Sequence, residues 1–133
     1  MKELAWDKTM SVEVPEIDED HRRLIDLFNL LNRAVAEGDA KDYTEALMDE
    51  LISCTVWHFK HEERLMLKYG YPDLAAHRTE HAALIDTAKE LQQQLLHGAS
   101  PPSGEDIAFL EHWLTGHIYG ADMALGSYLG EVM

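Results

Sequence analysis

Apolar residues recur along most of the 133-residue chain at intervals of three and four positions, the spacing that places them on one face of an α-helix. Four such stripes follow one another, separated by segments that contain glycine, proline or aspartate. Short connections between consecutive helices favour antiparallel neighbours. The pattern therefore predicts an all-α fold, an up-down-up-down four-helix bundle. The predicted helices start after the N-cap Asp18, at about Asp42, after the cap Asp73 and after the cap Ser103.

The first 17 residues do not carry a helical stripe. Two valines alternate there with polar residues, which indicates an extended segment. We expect residues 1–17 to form an N-terminal arm that lies across the bundle with Trp6 as its anchor, or else an arm that is partly disordered. The chain is expected to be one domain, 1–133, made of this arm and the bundle, 18–133.

The composition is that of a soluble globular protein with a formal net charge of −14. This charge argues against nucleic acid and against an anionic membrane surface as partners. No apolar run approaches the ~20 residues of a membrane span, and the N-terminus has no signal-peptide core. We therefore expect a cytoplasmic protein, and a monomer, because an intramolecular core accounts for the stripes. The single cysteine, Cys54, lies on an apolar stripe and is interpreted as a buried structural thiol.

Histidines occupy apolar-stripe positions in each of the four predicted helices. A lone histidine of this kind is usually a hydrogen-bonded core residue, but here a glutamate shares the stripes as well. Burying so many polar groups without partners costs several kcal/mol for each charged one, whereas one metal centre would satisfy them together. Pairs four residues apart lie on one helix face and aim at one point. The sequence thus indicates metal held inside the bundle, with candidate ligands His21, His58, Glu62, His77, His81 and His117.

A further candidate ligand, Asp122, follows His117 by five residues. In a regular α-helix five residues turn ~500°, which leaves the two side chains ~140° apart. They converge only if the helix breaks or widens, which Gly116 and Gly120 make feasible, and a π-type turn is one candidate. A short terminal helix would then follow. The remaining histidines are predicted to lie at the surface or to contact a ligand without binding metal themselves: His61, His97 and His112.

These residues and spacings resemble the hemerythrin family, and most closely its single-domain bacterial members. The matching pieces cover nearly the whole chain. Asp20 stands where many members have glutamine before the first ligand histidine. The pieces are Trp6 in the arm, the run from Ile17 to His21, His58-x-x-x-Glu62, Gly70-Tyr71-Pro72, His77-x-x-x-His81, and Trp113-Leu114-x-x-His117-x-x-x-x-Asp122.

The resemblance implies a non-haem di-iron site, with two Fe²⁺/Fe³⁺ ions and a bridging oxo or hydroxo group. One iron would be bound by three histidines: His77, His81 and His117. The other would be bound by His21 and His58, and both would be bridged by Glu62 and Asp122. This ligand count leaves one coordination position open for O2. The implied function is reversible O2 binding for storage, transport or delivery, without catalytic residues, with O2 and an unidentified oxygen-accepting protein as partners.

Other functions stay open at this point. A di-iron oxidase or peroxidase of the ferritin-like kind would use Glu-x-x-His pairs, and the sequence contains none. An iron or nitric oxide handling protein is another alternative, and a metal-free interaction bundle is a third. Leu114, one turn before His117, is expected to line the O2 pocket, although its position also suits an ordinary core leucine. Trp113 would shield the site or simply pack between helices.

Overall fold

The computed structural model describes residues 4–97 and 104–133. Within them the chain forms a short 3₁₀ turn, five α-helices and a π-helical turn, and no strands. The prediction of an all-α bundle is confirmed. The second helix packs against both the first and the third, and the first also contacts the fourth. The elements are the 3₁₀ turn Lys8–Met10, α1 Pro15–Ala36, α2 Lys41–Tyr69, α3 Leu74–His97, α4 Gly104–His117, the π turn Ile118–Asp122, and α5 Met123–Val132.

Helix α1 begins at Pro15, four residues earlier than the sequence predicted. Proline suits the first helical position because its fixed φ is helical and it lacks the N–H that would have no partner there. The prediction that Asp18 is the N-cap is therefore wrong. Its carboxylate instead accepts hydrogen bonds from the backbone N–H of Val12, at 2.8 Å, and from the hydroxyl of Ser11, at 2.6 Å. Asp18 thus ties the arm to the first turn of α1.

The described part of the N-terminal arm packs onto the bundle. Val12 and Val14 are buried, and the arm passes so close to α5 that a Cβ atom on Gly126 would lie 2.4 Å from the carbonyl oxygen of Val12. Trp6 is half-buried, and the guanidinium of Arg22 lies 4.8 Å from its ring centroid. The arm therefore lies across the bundle, as predicted. The predicted cap of the fourth helix, Ser103, lies outside the described residues.

A tight turn reverses the chain between α2 and α3. Gly70 adopts the left-handed conformation (φ 65°, ψ 42°) that favours glycine, and the N–H of Tyr71 donates to the carbonyl of Met66 at 2.9 Å. The hydroxyl of Tyr128 in α5 donates to the carbonyl of Tyr69 at 2.7 Å. The turn places α2 and α3 side by side, so that the histidines of the two helices face each other.

The described residues form two apolar core clusters, and the polar candidate ligands lie between them. In α2, for example, Ile52 belongs to one cluster and Leu65 to the other, with His58 and Glu62 between these positions. Cys54 is half-buried against the first cluster, rather than fully buried as interpreted from the sequence, and burial raises the pKa of its thiol. No helix among the described residues is both long and apolar enough to cross a membrane.

Candidate metal centre

The structure brings all seven predicted ligand side chains together in the interior of the bundle. None of them is more than 6% exposed. Their nitrogen and oxygen atoms fall into two groups, within each of which the atoms lie no more than 4.8 Å apart. The first group comprises Glu62, His77, His81, His117 and Asp122, and the second comprises His21, His58, Glu62 and Asp122.

The first group contains three histidines from α3 and α4. Nε2 of His81 lies 2.9 Å from Oε1 of Glu62, and Nε2 of His117 lies 2.9 Å from Oδ1 of Asp122. Nε2 of His77 lies 3.3 Å from each of these two oxygens. Three imidazole nitrogens and two carboxylate oxygens therefore face one point.

The second group contains one histidine from α1 and one from α2. Nε2 of His21 lies 3.1 Å from Nε2 of His58. Nε2 of His21 also lies 2.8 Å from Oδ2 of Asp122, and Nε2 of His58 lies 3.2 Å from Oε2 of Glu62. Two imidazole nitrogens at this separation are spaced as adjacent ligands of one ion, since bonds of about 2.1 Å at right angles put the two nitrogens about 3 Å apart.

Glu62 and Asp122 belong to both groups, and each divides its two oxygens between them. Oε1 of Glu62 and Oδ1 of Asp122 face the three-histidine group, while Oε2 and Oδ2 face the two-histidine group. A carboxylate arranged in this way has one oxygen available for each of two neighbouring cations. The arrangement therefore suits a pair of metal ions better than a single one.

The fourth helix widens where the ligand spacing requires it. His117 is the last residue of α4, and Asp122 is the last residue of the π turn Ile118–Asp122. A π turn adds one residue to a helical turn, so side chains five positions apart lie on the same side. The sequence offered a π-type turn as one candidate, and the structure contains it.

Several buried atoms of these side chains have no hydrogen-bond partner, although other polar atoms lie close by. Nε2 of His117 and Oδ1 of Asp122 are 2.9 Å apart, yet neither makes a properly directed hydrogen bond. Polar atoms buried in this way are costly unless a further partner satisfies them. Cations placed among them would do so, and the mixed imidazole and carboxylate set is one that iron accepts. The unpartnered atoms facing the two groups are Oε2 of Glu62, Nε2 of His117, and Oδ1 and Oδ2 of Asp122.

The carboxylates and histidines strongly perturb one another's ionisation in the metal-free chain. Burial alone would lower the pKa of His117, but the close carboxylates of Asp122 and Glu62 outweigh it and raise that pKa to about 11. The pKa of His77 is raised to about 9 by the same two carboxylates, again against burial. Burial would raise the pKa of Glu62, yet the surrounding histidines hold it well below its usual value. Without metal, protons on the histidines therefore compensate the negative charge of the two carboxylates, as bound cations would otherwise do.

Carboxylates outside the ligand set hold the outer nitrogen of three histidines. Nδ1 of His58 lies 2.8 Å from Asp20, Nδ1 of His81 lies 3.1 Å from Glu63, and Nδ1 of His117 lies 3.0 Å from Glu80. Such contacts fix the imidazole ring and its tautomer, leaving Nε2 for a metal. No role was predicted for Glu63 or Glu80, since exposed helical carboxylates are common, but each directly follows or precedes a candidate ligand in the sequence.

Asp20 also contacts a second histidine, His61, whose Nδ1 lies 2.5 Å from the same oxygen. The other ring nitrogen of His61 lies 3.0 Å from Glu16 at the surface. His61 is thus one contact removed from the candidate ligand His58. His112 is exposed, and the side chain of His97 lies outside the described part of the chain.

A small apolar cavity of about 10 Å³ adjoins the two-histidine group, large enough for about one water-sized molecule. Leu114 and Trp113 line it together with candidate ligands from both groups, including His21 and His117. Leu114 is buried, and the indole N–H of Trp113 donates to the carbonyl of Leu84 at 2.9 Å. Trp113 therefore both lines the cavity and joins α4 to α3.

The core of this helical bundle holds two adjoining groups of histidines, which are joined by shared carboxylates. This combination of fold and site is that of the helical-bundle proteins that bind two metal ions. Comparison with known families places the chain within that class. Residues 12–129 match the model of the Hemerythrin HHE cation binding domain, so the chain belongs to the hemerythrin family.

Similarity to individual members covers most of the chain. The chain is 35% identical to a bacteriohemerythrin of Methylococcus capsulatus over 112 residues, which are 84% of this chain and 85% of the relative. It is 33% identical to a bacteriohemerythrin of Stenotrophomonas maltophilia, over 91% of this chain and 78% of the relative. The crystal structure of a wild-type hemerythrin superposes with a TM-score of 0.86 at 31% identity, covering 95% of this chain and 97% of the other.

Proposed function

We propose that this protein binds O2 reversibly at a non-haem di-iron centre in the bundle core. The observation that carries the proposal is the sharing of Glu62 and Asp122 between two unequal groups of histidines. Membership of the hemerythrin family supports the same function. Binding rather than catalysis is proposed, since the site offers ligand atoms and an apolar cavity but, among the residues that the structure describes, no side chain arranged as a general acid or base.

The ligand assignment follows the geometry of the two groups. His77, His81 and His117 would hold one iron, together with Oε1 of Glu62 and Oδ1 of Asp122, which gives five protein donors. His21 and His58 would hold the other with the remaining two oxygens, which gives four. With a shared solvent oxygen, the second position alone keeps room for a further ligand. An iron pair held by these residues would supply two electrons to O2 and would recover them on release.

The residues around the cavity would keep water and protons away from that open position. Leu24, Leu114 and Ile118 are buried and present only hydrocarbon. Thr55 also lines the cavity, but its hydroxyl donates to the carbonyl of Leu51 at 2.7 Å and is therefore occupied. An apolar lining of this kind favours release of O2 over its further reduction, because further reduction requires protons. This favours a carrier over an oxidase or peroxidase.

We further propose that the chain acts as a single-domain, cytoplasmic, monomeric protein that stores, transports or delivers oxygen. A net charge of −14 supports solubility and keeps copies of the chain apart. The described helices account for one core that contains the site. An oxygen-accepting partner would receive what the site releases.

The decisive experiment is to purify the protein without air, count iron, and record visible spectra through cycles of air and deoxygenation. We expect about two irons per chain and a charge-transfer band that appears in air and disappears when O2 is removed. Two irons with irreversible oxidation, or with turnover of an added reductant, would favour an oxidase or peroxidase. A folded protein without iron would refute the di-iron proposal.

A further inference from the structure

A groove of about 360 Å³ lies between α2 and α3, and the largely buried His81 is among the residues that line it. The rings of Phe59 and His81, which both line it, stack in parallel, with their centroids 3.8 Å apart and an interplanar angle of 4°. Val56 and Ile85 add aliphatic surface. Binding sites for small molecules typically measure roughly 300–1,000 Å³ and combine apolar lining with a few polar groups. The groove has the size of such a site, and it combines aromatic and aliphatic surface with several charged side chains.

The charge of this groove differs from that of the rest of the protein. It has more basic than acidic side chains, whereas the whole chain has 11 basic and 25 acidic residues. Arg78 is paired with Glu63 at 3.0 Å, but no carboxylate of the described residues lies within ion-pair distance of Lys60 or Lys89. The groove therefore offers a local site for an anion on a strongly acidic protein. The charged residues lining it are Lys60, Glu63, Arg78, Asp86 and Lys89.

We propose that this groove binds a small aromatic redox carrier bearing an anionic group, and that the carrier returns electrons to the metal pair through His81. This inference rests on the proposed di-iron function, in which His81 is a ligand. A carrier lying against Phe59 and His81 would be separated from the metal by a single imidazole ring. Its aromatic part would contact the stacked rings and the aliphatic side chains, while Lys60 and Lys89 would hold its anionic group.

Such a carrier would restore a centre that has lost its electrons. A di-iron carrier that releases reduced oxygen is left with two ferric ions, which no longer bind O2. A reduced two-electron carrier of the flavin type would pass one electron to each ferric ion in turn and release two protons to solvent. The carrier would leave in its oxidised form, and both irons would be ferrous again.

Binding is tested first on zinc-loaded protein, which undergoes no redox change. Riboflavin 5′-phosphate and riboflavin share the same ring system, but only the first carries a phosphate. We expect the phosphate form to shift backbone amide resonances of Lys60, Ala82, Ile85 and Lys89, and to bind about tenfold more tightly than riboflavin at low ionic strength. Shifts confined to other parts of the protein, or equal affinities for the two probes, would overturn the proposal.

Charge reversal provides the matched variants. Lys60→Glu with Lys89→Glu is expected to remove the preference for the phosphate form. Lys8→Glu with Lys41→Glu changes the total charge equally at exposed sites outside the groove, and is expected to leave the preference within about twofold. An equal loss in both double variants would show that only total charge matters, which would overturn the groove as the binding site.

The same variants then test electron return in the iron-loaded protein. Reduced riboflavin 5′-phosphate should reduce the oxidised centre about tenfold faster than reduced riboflavin, and Lys60→Glu with Lys89→Glu should abolish this ratio. Wild-type protein that holds two irons and binds O2, but is reduced equally fast by both probes, would refute this inference alone. Wild-type protein that holds no iron pair would instead refute the proposed function.

Discussion

His117 and Asp122 are five residues apart, yet Nε2 of the first lies 2.9 Å from Oδ1 of the second because the chain between them forms a π turn. Replacing Asp122 with asparagine keeps the shape of the side chain but removes its charge and one ligand oxygen. We expect Asp122→Asn to lose stable binding of the metal pair, since an amide does not bridge two cations as a carboxylate does. Metal content after dialysis measures this effect.

Asp122→Asn should also change the metal-free protein. Against burial, the Asp122 carboxylate is the main group that raises the pKa of His117 to about 11, so this pKa should fall clearly in the variant. Histidine resonances followed through a pH titration would show the fall. Glu131→Gln, which removes one negative charge at an exposed position of α5, serves as the control and should change neither property. Unchanged metal content in Asp122→Asn would contradict the bridging assignment.

Leu114→Ala is expected to accelerate autoxidation while leaving the iron content unchanged. Leu114 lines the apolar cavity beside His21 and His117, and its truncation would admit water next to the metal pair. The substitution should also destabilise the fold by roughly 2–5 kcal/mol, as for other buried leucines. The measurement is the rate of loss of the oxygenated spectrum in air.

Leu110→Ala separates the effect on the cavity from the effect on stability. Leu110 lies one turn before Leu114, is equally buried, and does not line the cavity. The Leu110→Ala variant should lower the unfolding temperature about as much as Leu114→Ala does, without changing the autoxidation rate. Equal autoxidation rates in wild type and Leu114→Ala would show that Leu114 does not keep water away from the metal pair.

Much of the fold and the candidate site could be predicted because α-helical periodicity places residues in space directly. His58 and Glu62 lie on one face because they are four apart, and the same holds for His77 and His81. The spacing of His117 and Asp122 even indicated a local widening of the helix. The unequal pair of metal positions, by contrast, came from the family resemblance, since spacing alone does not assign ligands to individual ions.

Other features could not be predicted because they depend on contacts between helices. Asp20 in α1 contacts His58 and His61 in α2. From sequence alone, an aspartate near the start of a helix is explained equally well by its favourable interaction with the helix N-terminus. The groove at His81 depends on how α2 and α3 separate along their length. Asp18 was misread as a cap because Pro15 can begin a helix without a side-chain cap.

The stability of the metal-free protein should fall as pH rises above neutrality. Burial would lower the pKa of His58, but the charge of Glu62 and the hydrogen bond that His58 donates to Asp20 raise it from 6.5 to about 9. The folded state therefore keeps protons that the unfolded state releases above about pH 6.5. This contribution is fully present below the unfolded pKa of 6.5 and is lost as pH rises through about 9, with His77 acting in the same direction.

The depressed pKa of Glu62 acts at the opposite end of the pH range. Its contribution is present above its ordinary value of 4.5 and is lost as pH falls. The urea midpoint of metal-free protein should thus be highest at about pH 5–6. The metal-loaded protein should lack the decline between pH 6.5 and 9, because cations replace the protons. A metal-free midpoint that is constant or rises over this interval would contradict the ionisation described for the site.

The close approach of the arm to α5 predicts opposite effects for two glycine substitutions in the same helix. A Cβ atom on Gly126 would meet the carbonyl oxygen of Val12 at 2.4 Å and its Cβ atom at 2.6 Å, so Gly126→Ala must displace the arm. Overpacking of this kind typically costs about 1–3 kcal/mol. Gly130 has no atom within 4 Å of the corresponding position, and Gly130→Ala should stabilise α5 by up to about 1 kcal/mol through helix propensity. Thermal unfolding of the two variants measures both effects. A Gly126→Ala protein as stable as Gly130→Ala would mean that the arm does not lie against α5 in solution.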